Sequence, residues 1–567
     1  MQLKRSVSGL VLILIAALQG CGPAASGTIA SGSAVTAGAP PAAKRLTAAI
    51  QGAPATVSTI ASQTGGAVQG TDALEALANA GLTILDEKGN LHPQLAEATP
   101  TIENGLWTVF PDGRMETTWK IKQSAVWQDG AGVTSGDVAF TARVEQDKDL
   151  GRVRNANYDL IDRIETPDPY TVVVTWLRPY IAANAMFSTL VPKHLLEQTL
   201  DEDKGNFFDL PYWSAQFIGA GPYKVQDWVA DSHVVFRANE LFVLGPPKID
   251  VIEVRFIQEP NTLMANLLAG DVQLTMGRSL SPEQAVSIRD RWQGGRVVSQ
   301  ASGTLIAFPQ FLNPNPPIVT DARFRRALYY ALDRKEMAET LGSGLAPQAD
   351  TFLDPEEPEY RELETSIVRY EYDAAQASRI LEDLGYTREG DGFFHDPSGQ
   401  TLSLELRSTG AELTRKTTSS VAAYWQRSGI QVDLNLFPNA QFRDRQYVAT
   451  FPAFTLFNQP STIFFFTDNL HSRMARTPEN GFGGGNNYAR YMNPDFDTLV
   501  DRAFATIPWN DRMALFRQLM HKVTDELIVM PIFYSSQVTI ISGQLRGVSP
   551  SKIWNAEQWD LVSTPGS

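Results

Sequence analysis

Apolar residues recur at helical spacing between Asp321 and Leu341, where Phe324, Ala327, Leu328, Ala331 and Leu332 fall on one face. Asp321 stands before this run as an N-cap, Asp333 opens a second helix with Glu336 in capping-box position, and Gly342 ends it. The pattern predicts two helices in succession. Thr134 with Asp137 starts another helix, carrying Val138, Phe140 and Ala142, and Ser281-Pro282-Glu283-Gln284 starts a further one. Helices are also predicted over 72–80, 373–384 and 414–428, and from Asn510 as a cap before Met513, Phe516, Met520 and Val523. Strands are predicted from apolar or β-branched runs at 170–176, 251–256, 272–276, 402–407, 430–436 and 527–534. Pro531 interrupts the last of these and marks a sheet edge or a crossing between lobes. Helices and strands alternate without a fixed-period repeat, which predicts an α/β fold.

The first 66 residues break this pattern. Lys4 and Arg5 precede an apolar stretch, Leu10 to Ala17, that is too short to span a bilayer as a normal helix. Leu18-Gln19-Gly20-Cys21 follows and resembles a bacterial lipobox, so Cys21 is the expected lipidation site. It is the only cysteine in the chain, so no intramolecular disulfide forms. Residues 22–66 are rich in Ala, Gly, Ser, Thr and Pro, with only Lys44 and Arg45 charged, and read as a tether.

Length and charge then narrow the classes. At 567 residues the chain predicts more than one lobe, and 63 acidic against 48 basic residues give a net charge of −15. That balance argues against a general nucleic-acid binder. The six histidines are scattered, which predicts no direct metal site, and no cofactor is expected. Gly481-Phe482-Gly483-Gly484-Gly485 lacks the Gly-Lys-Ser/Thr ending of a phosphate loop, and no Gly-x-Ser-x-Gly elbow is present, so no catalytic residue is assigned. Arg323, Arg325, Arg326 and Arg334 could hold an anion, but are read as covering helix surface and pairing with local carboxylates.

Several separated segments, taken in order, resemble the extracellular solute-binding proteins of family 5, the peptide and nickel type serving ABC transporters. They are Pro93 to Glu97, Trp127-Gln128-Asp129-Gly130 with Asp137-Val138, Gly219 to Tyr223, Leu268 to Asp271, Asp321 to Arg334, Ser428 to Asp433, and Asn486-Asn487 with Asn493 to Asp497. The resemblance implies a two-lobed periplasmic-binding-protein (type II, Venus-flytrap) architecture with an extra domain on the first lobe. The expected division is a signal peptide at 1–20, a linker at 21–59, a discontinuous first lobe at 60–90, 209–308 and 536–567, the extra domain at 91–208 and the second lobe at 309–535. It further implies a monomer, lipid-anchored outside the cytoplasm at Cys21, that closes on a peptide or small-molecule ligand and presents it to an ABC permease and ATPase. A sensing receptor of the same fold, or a binder of a non-peptide solute such as an oligosaccharide, remains an open alternative.

One departure bears on the ligand. Peptide-binding members carry an Asp, in a segment resembling Trp-x-x-Asp, that pairs with the peptide ammonium. The corresponding segment here, Phe454 to Ser461, has no carboxylate. Asn458 and Gln459 offer neutral donors and acceptors beside Phe457, a mixture suited to an uncharged polar solute. The run Phe464-Phe465-Phe466 reads as core. The remaining candidates for ligand contact are Trp213, Phe311, Asn313, Asn487 and Tyr488, all placed near expected lobe boundaries or the glycine loop.

Overall fold

A strand buried on both faces shows no polar alternation, and Arg45–Ile50 is such a strand, concealed within an alanine-rich stretch. In the computed structural model, which describes residues 43–61, 68–150, 155–277, 279–410, 412–549 and 552–562, it lies deep in the largest sheet. This corrects the expected linker over its described part, 43–59: Ala48, Ala49 and Ile50 are fully buried, and Thr59–Ala61 forms a further 3-10 turn. The expected signal peptide and Cys21 lie outside the described residues.

The sheet has ten strands, in the order Gln431–Leu436, Ser403–Ser408, Phe454–Gln459, Gly295–Pro309, Met530–Ser542, Leu274–Thr275, Arg45–Ile50, Val251–Phe256, His233–Ala238 and Tyr223–Val229. The first lobe packs Leu46, Leu74, Phe236, Val254 and Trp559 on this sheet. The second packs Leu404, Trp425 and Phe454 in one core, and Phe308, Phe352, Phe466 and Phe516 in another. A separate antiparallel sheet of Trp107–Val109, Met115–Lys120, Thr171–Trp176 and Ile161–Asp168 has its own core around Trp119, Trp127 and Trp176. The architecture is α/β and two-lobed.

Capping residues place most helices where the pattern predicts. Asp321 accepts from the Arg323 N–H and Asp333 from the Glu336 N–H, starting Ala322–Tyr330 and Arg334–Leu341. Capping boxes start Ser135–Gln146 and Pro282–Arg291. The late helix is Trp509–Glu526, so Asn510 lies inside its first turn and Pro508 takes the cap position.

The arginines of the helix pair divide in a way the sequence did not show. Arg323 and Arg326 are surface groups paired with Asp321 at 2.7 Å and Asp525 at 2.9 Å. Arg325 and Arg334 are only 2% and 3% exposed. Arg325 donates to the carbonyls of Glu526 at 2.6 Å, Leu527 at 3.0 Å and Val319 at 2.9 Å, and burial pushes its guanidinium down to about 10. Arg334 donates to the carbonyls of Ala349 and Tyr370 and pairs with Asp350 at 2.9 Å. Both are internal fasteners that satisfy carbonyls at helix ends and in loops.

A second fastener joins segments that are distant in sequence. The buried Gln128 side chain donates to the carbonyls of Ala78 at 2.8 Å and Tyr223 at 2.7 Å, and accepts from the Gly219 N–H at 3.0 Å. Gly219 and Gly221 admit this approach, since a Cβ on them would fall 2.2 Å and 2.5 Å from backbone atoms of Ala78. Truncating Gln128 strands these groups in a dry interior. We expect Gln128→Ala to lower unfolding stability by about 2–3 kcal/mol, read from denaturant midpoints.

Candidate ligand-binding cleft

The strands Gly295–Pro309 and Met530–Ser542 cross between the lobes as one antiparallel pair, from Gly295↔Ser542 in the first lobe to Ala307↔Met530 in the second. Register shifts fall at Ala301/Gly303 and Leu305/Ile306, where the chain passes between lobes. Such shifts bend and twist a strand pair without cutting it.

Uncharged polar side chains collect at this crossing. Ser302 Oγ donates to the Ser535 carbonyl at 3.2 Å, Ser535 Oγ donates to Asn458 Oδ1 at 3.2 Å, and Thr304 and Ser461 hydroxyls meet at 2.6 Å. Gly303 leaves room for this contact, because a Cβ there would lie 2.7 Å from Asn458 Oδ1. Gln300 pairs in register with Gln537, and its buried Oε1 has no hydrogen-bond partner among the described residues. Gln537 and Thr539 continue along the returning strand into a cavity of about 240 Å³, whose wall includes Thr275, Met276, Ala73 and Lys552. This cavity lies at the carboxyl end of Leu274–Thr275, a strand parallel to Arg45–Ile50. Open α/β sheets characteristically take ligands at such strand ends.

Lys552 also faces the seam between the lobes. A Cβ on Gly89, in the hairpin turn beyond Thr83–Leu85, would lie 3.1 Å from Pro358 Cδ in the second lobe. Beside this contact Asp354, Glu357 and Glu359 share a half-buried site, with the Lys552 charge acting on Asp354 and Glu357 and that of Arg512 on Glu359. Burial, reinforced by the neighbouring carboxylates Glu359 and Asp354, pushes Glu357 up to about 8.

The sequence candidates separate into two groups. Phe457 packs against Tyr488 with ring centroids 4.6 Å apart, and both meet Phe308. The Arg476 guanidinium lies 4.6 Å above the Tyr488 ring. Asn458, next to Phe457, is exposed at the crossing. Gln459 turns inward and accepts from Asn469 Nδ2 at 3.0 Å. Phe311 lies under the Arg325 guanidinium at 4.7 Å and edge-on to Tyr491, while Asn313 is exposed in a left-handed turn with φ 56°.

Two candidates are corrected to interior roles. Trp213 is buried among Phe207, Phe208 and Tyr212, with Nε1 donating to the Phe207 carbonyl at 2.6 Å. Asn487 is fully buried, and its amide is taken up by the carbonyls of Leu470, His471 and Tyr491. Of the aromatic run, Phe465 and Phe466 are core residues, whereas Phe464 is half-buried. Gln300, Ser302, Ser535 and Gln537, which are not among the sequence candidates, also lie at the crossing. Their signal was a pair of short polar runs, Ser299–Ser302 and Ser535–Gln537, inside otherwise apolar strands. No group of three or more potential metal ligands occurs among the described residues. Nor is any helix there long and apolar enough to cross a membrane.

A profile described as bacterial extracellular solute-binding proteins, family 5 Middle, matches residues 90–470. The oligopeptide-binding protein AppA of Bacillus subtilis is 23% identical over 498 residues, covering 85% of this chain and 86% of the relative. Among solved structures, AppA from Bacillus subtilis in complex with a nonapeptide is similar with a TM-score of 0.65 and 22% identity, over 92% of this chain and 99% of that one. NikZ from Campylobacter jejuni in complex with Ni(L-His) is similar with a TM-score of 0.67 and 21% identity, over 91% of this chain and 99% of that one.

The seam carboxyl yields a test. Glu357 ionises near 4.5 in an unfolded chain and near 8 in the folded protein, so the folded state holds the extra proton between these values. The contribution of this group to stability is therefore fullest below about pH 4.5 and falls as pH rises towards 8. We expect Glu357→Gln to flatten that decline in melting scans between pH 5 and pH 8, recovering roughly 2 kcal/mol at the upper end.

Proposed function

Since the chain belongs to the bacterial extracellular solute-binding proteins, family 5, we propose that it is the solute-capturing subunit of an ABC importer. In this role it closes its lobes on a small polar solute or peptide and hands it to a membrane permease. The observation that carries this reading is the crossing pair of strands, with a cluster of neutral hydrogen-bonding groups where the chain bends between lobes. A ligand touching both lobes favours the closed arrangement by its differential affinity for it, and the register shifts supply the compliant joint. The similar oligopeptide-binding AppA and the NikZ complex with Ni(L-His) support a peptide or chelated-metal class of ligand.

The neutral floor sharpens the ligand. Asn458, Ser302, Ser535, Gln300 and Gln537 offer amides and hydroxyls, which match amide or hydroxyl groups of a solute. A bare ammonium placed at the Phe454–Ser461 segment would meet no carboxylate there. Cys21 is the proposed point of lipid attachment that would hold the protein at the outer face of a membrane, and the working form is a monomer.

Native mass spectrometry of protein purified from its host is expected to show a retained solute that leaves unchanged on unfolding. Conversion of that solute by the purified protein would overturn the binding role. Replacing Asn458 and Ser535 together by Ala should weaken its affinity by about tenfold or more. An unchanged affinity would remove the crossing from the site.

A further inference from the structure

We propose that a second pocket, between the extra domain and the second lobe, binds a small zwitterion of the amino-acid class, with Arg178 facing its carboxylate and Asp468 its ammonium. The pocket measures about 460 Å³ and is lined from the extra-domain side by Arg178 and Tyr180, and from the second lobe by Phe464, Asp468, Arg473 and Phe504. It shares no lining residue with the cavity beside Gln537 and Thr539.

Its charges are arranged for a ligand carrying both signs. Arg473 is already taken, since its Nη1 donates to Asp501 at 3.2 Å. Arg178 has no carboxylate within ion-pair distance among the described residues, and Asp468 has no cation within that distance; its Oδ1 accepts only from the Thr467 hydroxyl, at 2.9 Å. The two unpaired charges act from opposite signs on the Tyr180 phenol, which burial, then the Asp468 charge, pushes up to about 12. Burial raises the Asp468 carboxyl as well, outweighing the Thr467 hydroxyl and the more distant Arg473 charge, which lower it. A carboxylate in that state gains from an arriving cation.

The walls complete the match. Tyr180 and Phe464 stand 6.5 Å apart and Phe464 and Phe504 5.6 Å apart, a continuous aromatic surface beside the charged groups. The volume lies within the range of small-ligand pockets and exceeds what a simple ion requires. An α-amino acid with an apolar side chain presents ammonium, carboxylate and hydrophobic group from one carbon, and so addresses all three features. This proposal stands whether or not the crossing strands hold the transported solute.

Calorimetric titration of the full chain with L-leucine and L-phenylalanine tests it. We expect saturable binding by at least one of them, lost for N-acetyl-leucine and for leucinamide, each of which lacks one of the two charges. Arg178→Ala and Asp468→Asn should each weaken binding about tenfold or more, while circular dichroism reports an unchanged fold. Asn458→Ala should leave this binding intact, which separates the pocket from the crossing-strand site. The proposal is overturned if neither amino acid binds, if the capped forms bind equally well, if Arg178→Ala and Asp468→Asn bind as the unaltered chain does, or if Asn458→Ala alone abolishes binding. Should either pocket variant misfold, the capped-ligand comparison on the unaltered protein still decides.

Discussion

Antiparallel pairing of Gly295–Pro309 with Met530–Ser542 fixes how the lobes meet, because each strand belongs to both halves of the sheet and neither can slide without breaking the other's hydrogen bonds. What the pairing leaves free is bending and twisting, concentrated at the register shifts. The neutral polar cluster sits at that same joint. Placing hydrogen-bonding groups where the backbone is already irregular lets them respond to a change in lobe angle. Charged groups, by contrast, lie towards the seam, around Glu357 and Lys552.

The buried arginines show how the two ends of the second lobe are tied. Arg325, near the start of that lobe, caps the carbonyls of Glu526 and Leu527 just before the returning strand begins. Leu527 takes a left-handed conformation, with φ 47°, that costs a non-glycine residue something to hold. The guanidinium secures that turn, and with it the point at which the chain re-enters the sheet.

Local signals were legible and distant ones were not. The caps Asp321, Asp333, Thr134 and Ser281 act over three or four residues, so the sequence displayed them and the structure contains them. Whether Arg325 is exposed depends on a helix end some two hundred residues away, which spacing alone cannot report. Arg45–Ile50 was hidden because a strand covered on both sides needs only small apolar residues, the same ones that make up a tether. Asn458 is exposed at the crossing, whereas Trp213, a candidate by its place in the chain order, is filling for an aromatic core. Gln300 and Gln537 become partners only through strand pairing.

The order of strands carries a kinetic consequence. Leu274–Thr275 hydrogen-bonds on one side to Arg45–Ile50 and on the other to the returning strand, which is made some 250 residues later. Until that strand arrives, the first lobe has an open edge in the middle of what will become its sheet. Pairings over such sequence distances form slowly, and an unpaired edge invites association with other chains. The large sheet therefore stays unfinished until Met530–Ser542 has emerged. The small antiparallel sheet, whose strands all lie between Trp107 and Trp176, closes without it, whereas the large sheet is completed only when Met530–Ser542 docks.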